Sequence, residues 1–167
     1  AYRSDAPLGL LASDLVAAVR DEYPFDPGEA SWLSCDLAAD FRLPGRRDLL
    51  YLVLCTLVKN ALLALRSALP DDPRVCIALG AAAPAPGLPE QPVIRVSDNG
   101  PGIVPEVLQR LTHEPVTTRA DAGGSGMGLV FCRRVMGSLG GTVDVRSMPG
   151  QGAAVTLYFP PVEEARA

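Results

Sequence analysis

Three short stretches of this chain carry residue types that could do chemistry together. The first is Gly123-Gly124-Ser125-Gly126-Met127-Gly128-Leu129, where glycines alternate with small or flexible residues ahead of a helical pattern. A glycine run that opens a helix lets bare main-chain N–H groups approach an anion, and the helix dipole adds partial positive charge there. By mechanism this is a phosphate cradle, although the same composition also closes hairpins and caps helices. It is not a Walker A loop, because no Gly-Lys-Ser/Thr follows. Nor is it a dinucleotide fingerprint, because no hydrophobic strand leads directly into it. The second stretch is Asp98-Asn99-Gly100-Pro101-Gly102-Ile103. An aspartate at a strand end can accept a hydrogen bond from an exocyclic amine, while Gly100 and Gly102 would let a ring lie against the backbone. A plain Asx turn followed by a glycine turn explains the same residues. The third is Asn60, set between Lys59 and Ala61 among leucines. Asparagine favours caps and turns over helix interiors. It is either a solvent-facing or hydrogen-bonded core amide, or an oxygen ligand for a hard cation such as Mg²⁺ on a rigid helix.

The elements that must position these residues follow from periodicity. Leu11, Leu15, Val16 and Val19 form the stripe of a first helix, with Ser13 or a neighbour as its cap and Tyr23-Pro24 as its end. Ala30 to Leu37 reads as a strand, and Phe41-Arg42-Leu43 as a short second one stopped by Pro44-Gly45. Arg46 to Leu69 is the longest helical pattern, with Leu49, Leu50, Val53, Leu54, Leu57, Ala61, Leu65 and Leu69 on one broad apolar face. Arg74 to Leu79 and Val93 to Val96 read as strands joined by a long Ala/Pro-rich hairpin loop over 81–92. Pro105 to Leu111 suggests a short helix. Thr112 to Gly124 lacks apolar periodicity and reads as a mobile lid carrying His113, an exposed loop histidine. Leu129, Cys132, Val135, Met136 and Leu139 stripe the helix after the glycine run, and Gly140-Gly141 stops it. Thr142 to Ser147 and Ala153 to Phe159 alternate around a turn at 148–152, as a terminal hairpin does, and 161–167 reads as a frayed tail.

Composition narrows the classes. The net charge of −4 argues against a general nucleic-acid binder. The chain has no uninterrupted apolar run of membrane-spanning length and no signal-peptide pattern. Cys35, Cys55, Cys76 and Cys132 lack C-x-x-C spacing and read as buried free thiols of a reducing, cytoplasmic setting. A single histidine leaves little for a zinc site or a Ser-His-Asp triad. The chain reads as a single domain over 1–167, and its opening in mid-pattern at Ala1 suggests excision from a longer protein.

With Asn60, Asp98-x-Gly-x-Gly, a threonine-rich loop and Gly-x-Gly-x-Gly-Leu in that order, the chain resembles the catalytic and ATP-binding domain of bacterial sensor histidine kinases, within the GHKL ATPase superfamily. Asn60 matches the N box, Asp98 to Ile103 the G1 box, and Gly124-Ser125-Gly126-Met127-Gly128-Leu129 the G2 box; with the terminal hairpin, the likeness covers roughly residues 8–160. It implies a two-layer α/β sandwich of the α+β kind, the Bergerat-type ATP-binding fold, with a mixed sheet of about five strands on about three main helices. By that likeness Asp98 holds the adenine amino group and Asn60 binds the Mg²⁺ that bridges the phosphates. Gly124, Gly126 and Gly128 let the lid and the next helix meet the phosphates. Ser125, Met127, Leu129, Gly100, Gly102 and Ile103 border the nucleotide with them, and Lys59, Thr117, Thr118, Arg119 and Arg133 are the polar candidates for further contacts.

No catalytic residue is assigned within the chain. The γ-phosphoryl would pass to a histidine on a separate dimerisation domain of the same kinase and then to an aspartate on a response regulator receiver domain. The implied partners are those two domains, with neither nucleic acid nor direct membrane contact. The implied location is the cytoplasm, the parent protein being membrane-anchored or not. The chain departs from the pattern at several places. Thr56 stands one turn before Asn60, where Asn or Glu is common, and a hydroxyl is no general base near neutral pH. Leu63 replaces a frequent basic residue, the segment 114–119 resembles the F box without its phenylalanine, and Ala153 replaces a hydroxyl residue. Two other readings therefore stand beside the first: a GHKL serine kinase of the anti-sigma-factor type, and a degenerate nucleotide-sensing or docking module without transfer.

Overall fold

The longest helix decides the architecture. The computed structural model describes residues 10–103, 126–148 and 150–161; the expected helix at 105–111, His113, the lid at 112–124 and the tail from 162 lie outside them. Helix α2, Arg47–Ser67, buries one face through Leu50, Val53, Leu54, Leu57, Leu62 and Leu65, all at most 2% exposed. Its length and apolar character would let it cross a membrane, but here that face is the centre of a packed core. Leu69, expected on the same face, lies past the helix end and is 61% exposed.

The other described elements wrap around α2. Strand β1, Leu10–Leu11, pairs with β3, Arg42–Leu43, in a two-stranded ribbon. Helix α1, Ala12–Glu22, follows β1 and buries Leu15, Val16 and Val19, as its stripe predicts. Its cap is not its own: the Ser13 N–H donates to Asp40 Oδ1 at 2.8 Å and the Ser13 hydroxyl to Asp40 Oδ2 at 2.5 Å, so a distant carboxylate satisfies the helix start. The expected strand at 30–37 divides into a 3₁₀ turn, Glu29–Trp32, and strand β2, Leu33–Asp36. Gly28 at φ +86° starts the turn and the Ser31 hydroxyl closes it on the Gly28 carbonyl at 2.8 Å, so extension begins only where β2 meets β4.

Strand β4, Val75–Ala82, runs past its expected end at Leu79, and β5, Gln91–Asp98, starts before Val93 and continues to Asp98, so both reach into the expected loop between them. Helix α3, Gly126–Ser138, leads into the hairpin of β6, Thr142–Met148, and β7, Gly152–Tyr158. The sheet order is β2-β4-β5-β7-β6, parallel between β2 and β4 and antiparallel elsewhere. The parallel pair needs a crossover, and α2 provides it. Val75, Ile77, Ile94, Val96 and Leu157 point toward the helices and share one core with them. The fold is thus the expected α/β sandwich: a five-stranded mixed sheet with three helices among the described residues. The four cysteines are free, as expected, but Cys35, Cys55 and Cys76 are only partly buried. Burial pushes the Cys132 thiol up to about 12, which leaves it inert.

Candidate functional site

Thr56, Asn60 and Ala64 stand at successive i, i+4 positions of α2 and so form one row along its side. Two other segments close on this row. A Cβ at Gly128, in the first turn of α3, would lie 3.1 Å from Thr56 Cγ2 and 3.9 Å from Asn60 Nδ2. A Cβ at Gly100 would lie 3.5 Å from the Ala64 main chain and 3.0 Å from Asp98 Oδ1. The start of α3 and the Asp98 loop therefore meet the same helix one to two turns apart, roughly 6–12 Å along its axis. A side chain at either glycine would crowd these neighbours, so the sequence's glycine patterns have a packing contribution here.

Asn60 is half-buried, and its amide makes no hydrogen bond among the described residues. Among the described residues nothing marks it as a hydrogen-bonded core amide. It is a polar group fixed on a stiff helix beside the first turn of another. The Thr56 hydroxyl donates to the Leu52 carbonyl of its own helix at 2.8 Å and turns its methyl to Gly128. No base faces α3 from this position. Lys59 is exposed, Leu63 half-buried, and Arg133 half-buried on α3. Leu129 is 5% exposed and anchors α3 in the core.

Asp98 ends β5, paired with Val75 on one side and Ala153 on the other. Burial raises its carboxyl above the ordinary 3.8, while the main-chain N–H groups of Gly100 and Ala153 offset part of the rise. The Gly100 N–H donates to Oδ1 at 2.8 Å, so the Asx turn read from the sequence is real. A carboxylate offers about four lone-pair sites, and these two amides leave capacity for a donor from a ligand. The methyl of Ala153 stands beside Asp98 where a hydroxyl residue would add a contact.

The loop after Asp98 is held at every step. Asn99 accepts the Arg74 N–H at 2.8 Å and donates to the Asp72 carbonyl at 2.7 Å. The Pro101 carbonyl accepts the Gly150 N–H at 2.7 Å. Gly102 takes φ +79°, and the Ile103 N–H donates to Ser147 Oγ at 2.6 Å while Ile103 packs on the core. Asn99 and Ser147 were not singled out by sequence, because their partners lie far off in the chain. Of the other predicted residues, Gly126 opens α3. Thr117, Thr118, Arg119, Gly124 and Ser125, and the side chain of Met127, lie outside the described residues. On the sheet's outer face a shallow groove of about 90 Å³ runs past Gly80, Ala82 and Arg95, away from this site; Arg95 Nε already donates to Thr156 there at 3.0 Å.

The family described as "Histidine kinase-, DNA gyrase B-, and HSP90-like ATPase" matches residues 45–163, a span that holds Asn60, Asp98 and the start of α3. The chain belongs to that family. Within it, the chain stands with the catalytic and ATP-binding domains of sensor histidine kinases. It is 36% identical over 148 residues to the CAI-1 autoinducer sensor kinase/phosphatase CqsS of Vibrio cholerae, covering 88% of this chain and 20% of that protein. It is 32% identical over 114 residues to sporulation kinase D of Bacillus subtilis, covering 68% of this chain and 20% of that one. The chain thus spans about a fifth of the length of these curated relatives. Its fold matches the catalytic domain of histidine kinase ThkA with a TM-score of 0.63 at 18% identity, over 89% of this chain and 91% of that domain. Full-length ShkA, solved in complex with AMPPNP, matches with a TM-score of 0.60 at 23% identity, over 88% of this chain and 29% of that one.

Proposed function

We propose that this histidine-kinase-type ATPase domain binds ATP with Mg²⁺ and donates the γ-phosphoryl group to a histidine on a separate dimerisation domain, in two-component signal transduction. One observation carries the proposal: a single helix face sets the unbonded Asn60 amide against the first turn of α3 and, a turn later, Ala64 against the loop of Asp98. A carboxylate suited to an amine and a helix start suited to phosphate thus lie along one rigid edge.

Each residue then has a physical task. Asp98 accepts the exocyclic amine of adenine with the capacity that Gly100 and Ala153 leave it. Gly100, Gly102 and Ile103 keep the loop flat enough for the base to lie against main chain. The N–H groups at the start of α3, from Gly126 on, face the phosphates with the favourable end of the helix dipole. Asn60 Oδ1 would hold the magnesium, which when bound would neutralise phosphate charge and make ADP a better leaving group. The acceptor imidazole attacks the γ-phosphorus, the bond to the β-phosphate oxygen breaks, and ADP leaves. An imidazole nitrogen is already a nucleophile, so the absence of a base at Thr56 costs the transfer nothing while it leaves water unactivated. The phosphoryl group passes on to an aspartate of a response regulator receiver domain. The same reading places the domain in the cytoplasm, in contact with those two partner domains and with neither nucleic acid nor membrane.

Calorimetric titration tests the binding half. Wild-type chain takes up MgATP, Asp98→Ala loses binding, and Asn60→Ala keeps magnesium-free nucleotide while losing the magnesium-dependent gain. A folded wild-type chain that takes up no ATP would refute the proposal and favour the docking-module reading, for which Ala153 and Leu63 speak. The transfer half is tested with labelled ATP and a histidine-bearing dimerisation domain in trans. Acid-labile label on that domain is expected; acid-stable label would point to a serine kinase.

A further inference from the structure

The loop that carries Asp98 is fastened by a side chain two strands away. Ser147 on β6 pairs with Ala153 on β7, and Ala153 pairs with Asp98 on β5, so the three form one row across the sheet end. Residues in such a row share a face of the sheet. After Asp98 the chain passes over the end of β7 at Gly152, where a Cβ would lie 2.0 Å from the Asp98 carbonyl oxygen. No side chain fits between them. Past that crossing, the Ile103 N–H meets Ser147 Oγ at 2.6 Å, and the same hydroxyl donates to the Gly152 carbonyl at 3.1 Å. One hydroxyl acts as acceptor and donor at once, and its two partners are the segments that bracket Asp98.

We propose that Ser147 is a positioning residue for base recognition, holding the Gly100–Ile103 loop and Gly152 in the register that aims Asp98 at a purine amine. It touches no substrate and acts through the loop. This inference rests on the ATP-binding reading for its consequence but not for its geometry. A hydroxyl is needed because alanine would leave a main-chain N–H and a carbonyl without their partner, in a half-buried place where neither is easily hydrated. The effect falls more heavily on ATP than on GTP, because the purine amine is the group that Asp98 distinguishes.

The test uses the chain with Ser147→Ala and Ser147→Thr. ATP and GTP affinities are measured by calorimetry, and the Asp98 carboxyl is titrated by NMR with no nucleotide present. In Ser147→Ala the ATP affinity falls roughly tenfold or more, the size of one lost buried hydrogen bond, while GTP falls less. The preference for ATP therefore shrinks, and the Asp98 titration moves back toward the ordinary 3.8 as the loosened loop admits water. Ser147→Thr restores both to near wild type. Equal losses for ATP and GTP, or an unmoved Asp98 titration, would mark Ser147 as merely structural and overturn the proposal. Should Ser147→Ala fail to fold, Ser147→Cys against Ser147→Thr poses the same question with volume nearly kept. If the wild-type chain takes up no nucleotide, the ATP reading fails alone, and the Asp98 titration still decides for or against Ser147.

Discussion

Three glycines in and just before the terminal hairpin separate backbone strain from collision, and substituting each by alanine gives a graded prediction. Gly150 sits at φ +81° with nothing within 4 Å of a Cβ, so Gly150→Ala pays for the left-handed backbone alone. That is about 1 kcal/mol. Gly141 has no such φ, but its Cβ would stand 2.2 Å from the Tyr158 carbonyl oxygen and 2.9 Å from Met136 Cε. Overpacking of that kind costs about 1–3 kcal/mol. Gly152 combines both, with φ +93° and a Cβ 2.0 Å from the Asp98 carbonyl oxygen and 3.0 Å from Asn99 Cα. Ordinary contact begins near 3.4 Å, so the Asp98 main chain must retreat by more than an ångström. Summing the two effects, Gly152→Ala should lose about 2–4 kcal/mol, a large fraction of a typical domain's stability. Urea melts rank the three variants, and a fluorescent ATP analogue titrated at low temperature, where all remain folded, reads the site. Gly152→Ala should lose nucleotide affinity well beyond Gly141→Ala, because only the former displaces Asp98. If Gly152→Ala proves no worse than Gly150→Ala in stability, or no worse than Gly141→Ala in binding, the argument that Gly152 sets the position of Asp98 is wrong.

Arg66 grips Glu29 with two bonds, Nε to Oε2 at 2.7 Å and Nη2 to Oε1 at 2.6 Å, and the Glu29 side chain is only 8% exposed. Arg66→Ala strands that carboxylate and should cost about 2–3 kcal/mol in a urea melt, less than a fully buried pair because Arg66 itself is partly solvated. Hydrogen bonding from Arg66 holds Glu29 below its ordinary 4.5, so its contribution is whole above that pH and lost as pH falls through the folded value; wild type should lose stability there more steeply than Glu29→Gln. Thr56→Val, which keeps the methyl toward Gly128 and drops a bond within its own helix, should leave ATP affinity and phosphotransfer rate within about twofold and stability within about 0.5 kcal/mol. A large rate loss in Thr56→Val would assign the hydroxyl a part in the chemistry.

What the sequence made legible was whatever follows from local repetition. The i, i+3, i+4 spacing of Leu50, Val53, Leu54 and Leu57 decides which side of α2 is buried, and so which side carries Thr56, Asn60 and Ala64. Alternation along 142–147 and 153–159 gives the hairpin and puts Val145 and Leu157 inward. Asp98 and the glycines around it were legible because few residue types can end a strand and then turn. The misses share a cause, which is that the deciding partner lies far away in the chain. Asp40 caps α1 from 27 residues off, and the Ala30–Trp32 segment, apolar enough for a strand, turns because Gly28 and Ser31 close it locally before β4 is in reach. Ser147 could be placed on the inner face by alternation, but its bond to Ile103 depends on where a loop crosses another strand, which no spacing rule encodes.

The site therefore has two supports of different kinds. Asn60 and the start of α3 rest on a helix whose adjoining face is the centre of the core, so their mutual position is as stiff as the packing of α2 against the sheet. Asp98 rests instead on main-chain and side-chain bonds at a sheet end, from Asn99, Gly100, Gly150 and Ser147, each worth about a kilocalorie, and those of the Asn99 and Ser147 side chains are removable by one substitution. The two supports touch where Gly100 meets Ala64. Loss of recognition at the base end and loss of grip at the phosphate end should consequently separate in mutants: changes around Asp98 alter which nucleotide is chosen, and changes on the Asn60 row alter whether magnesium strengthens its binding. A core substitution such as Leu57→Ala, which loosens α2 itself, is the one expected to degrade both together.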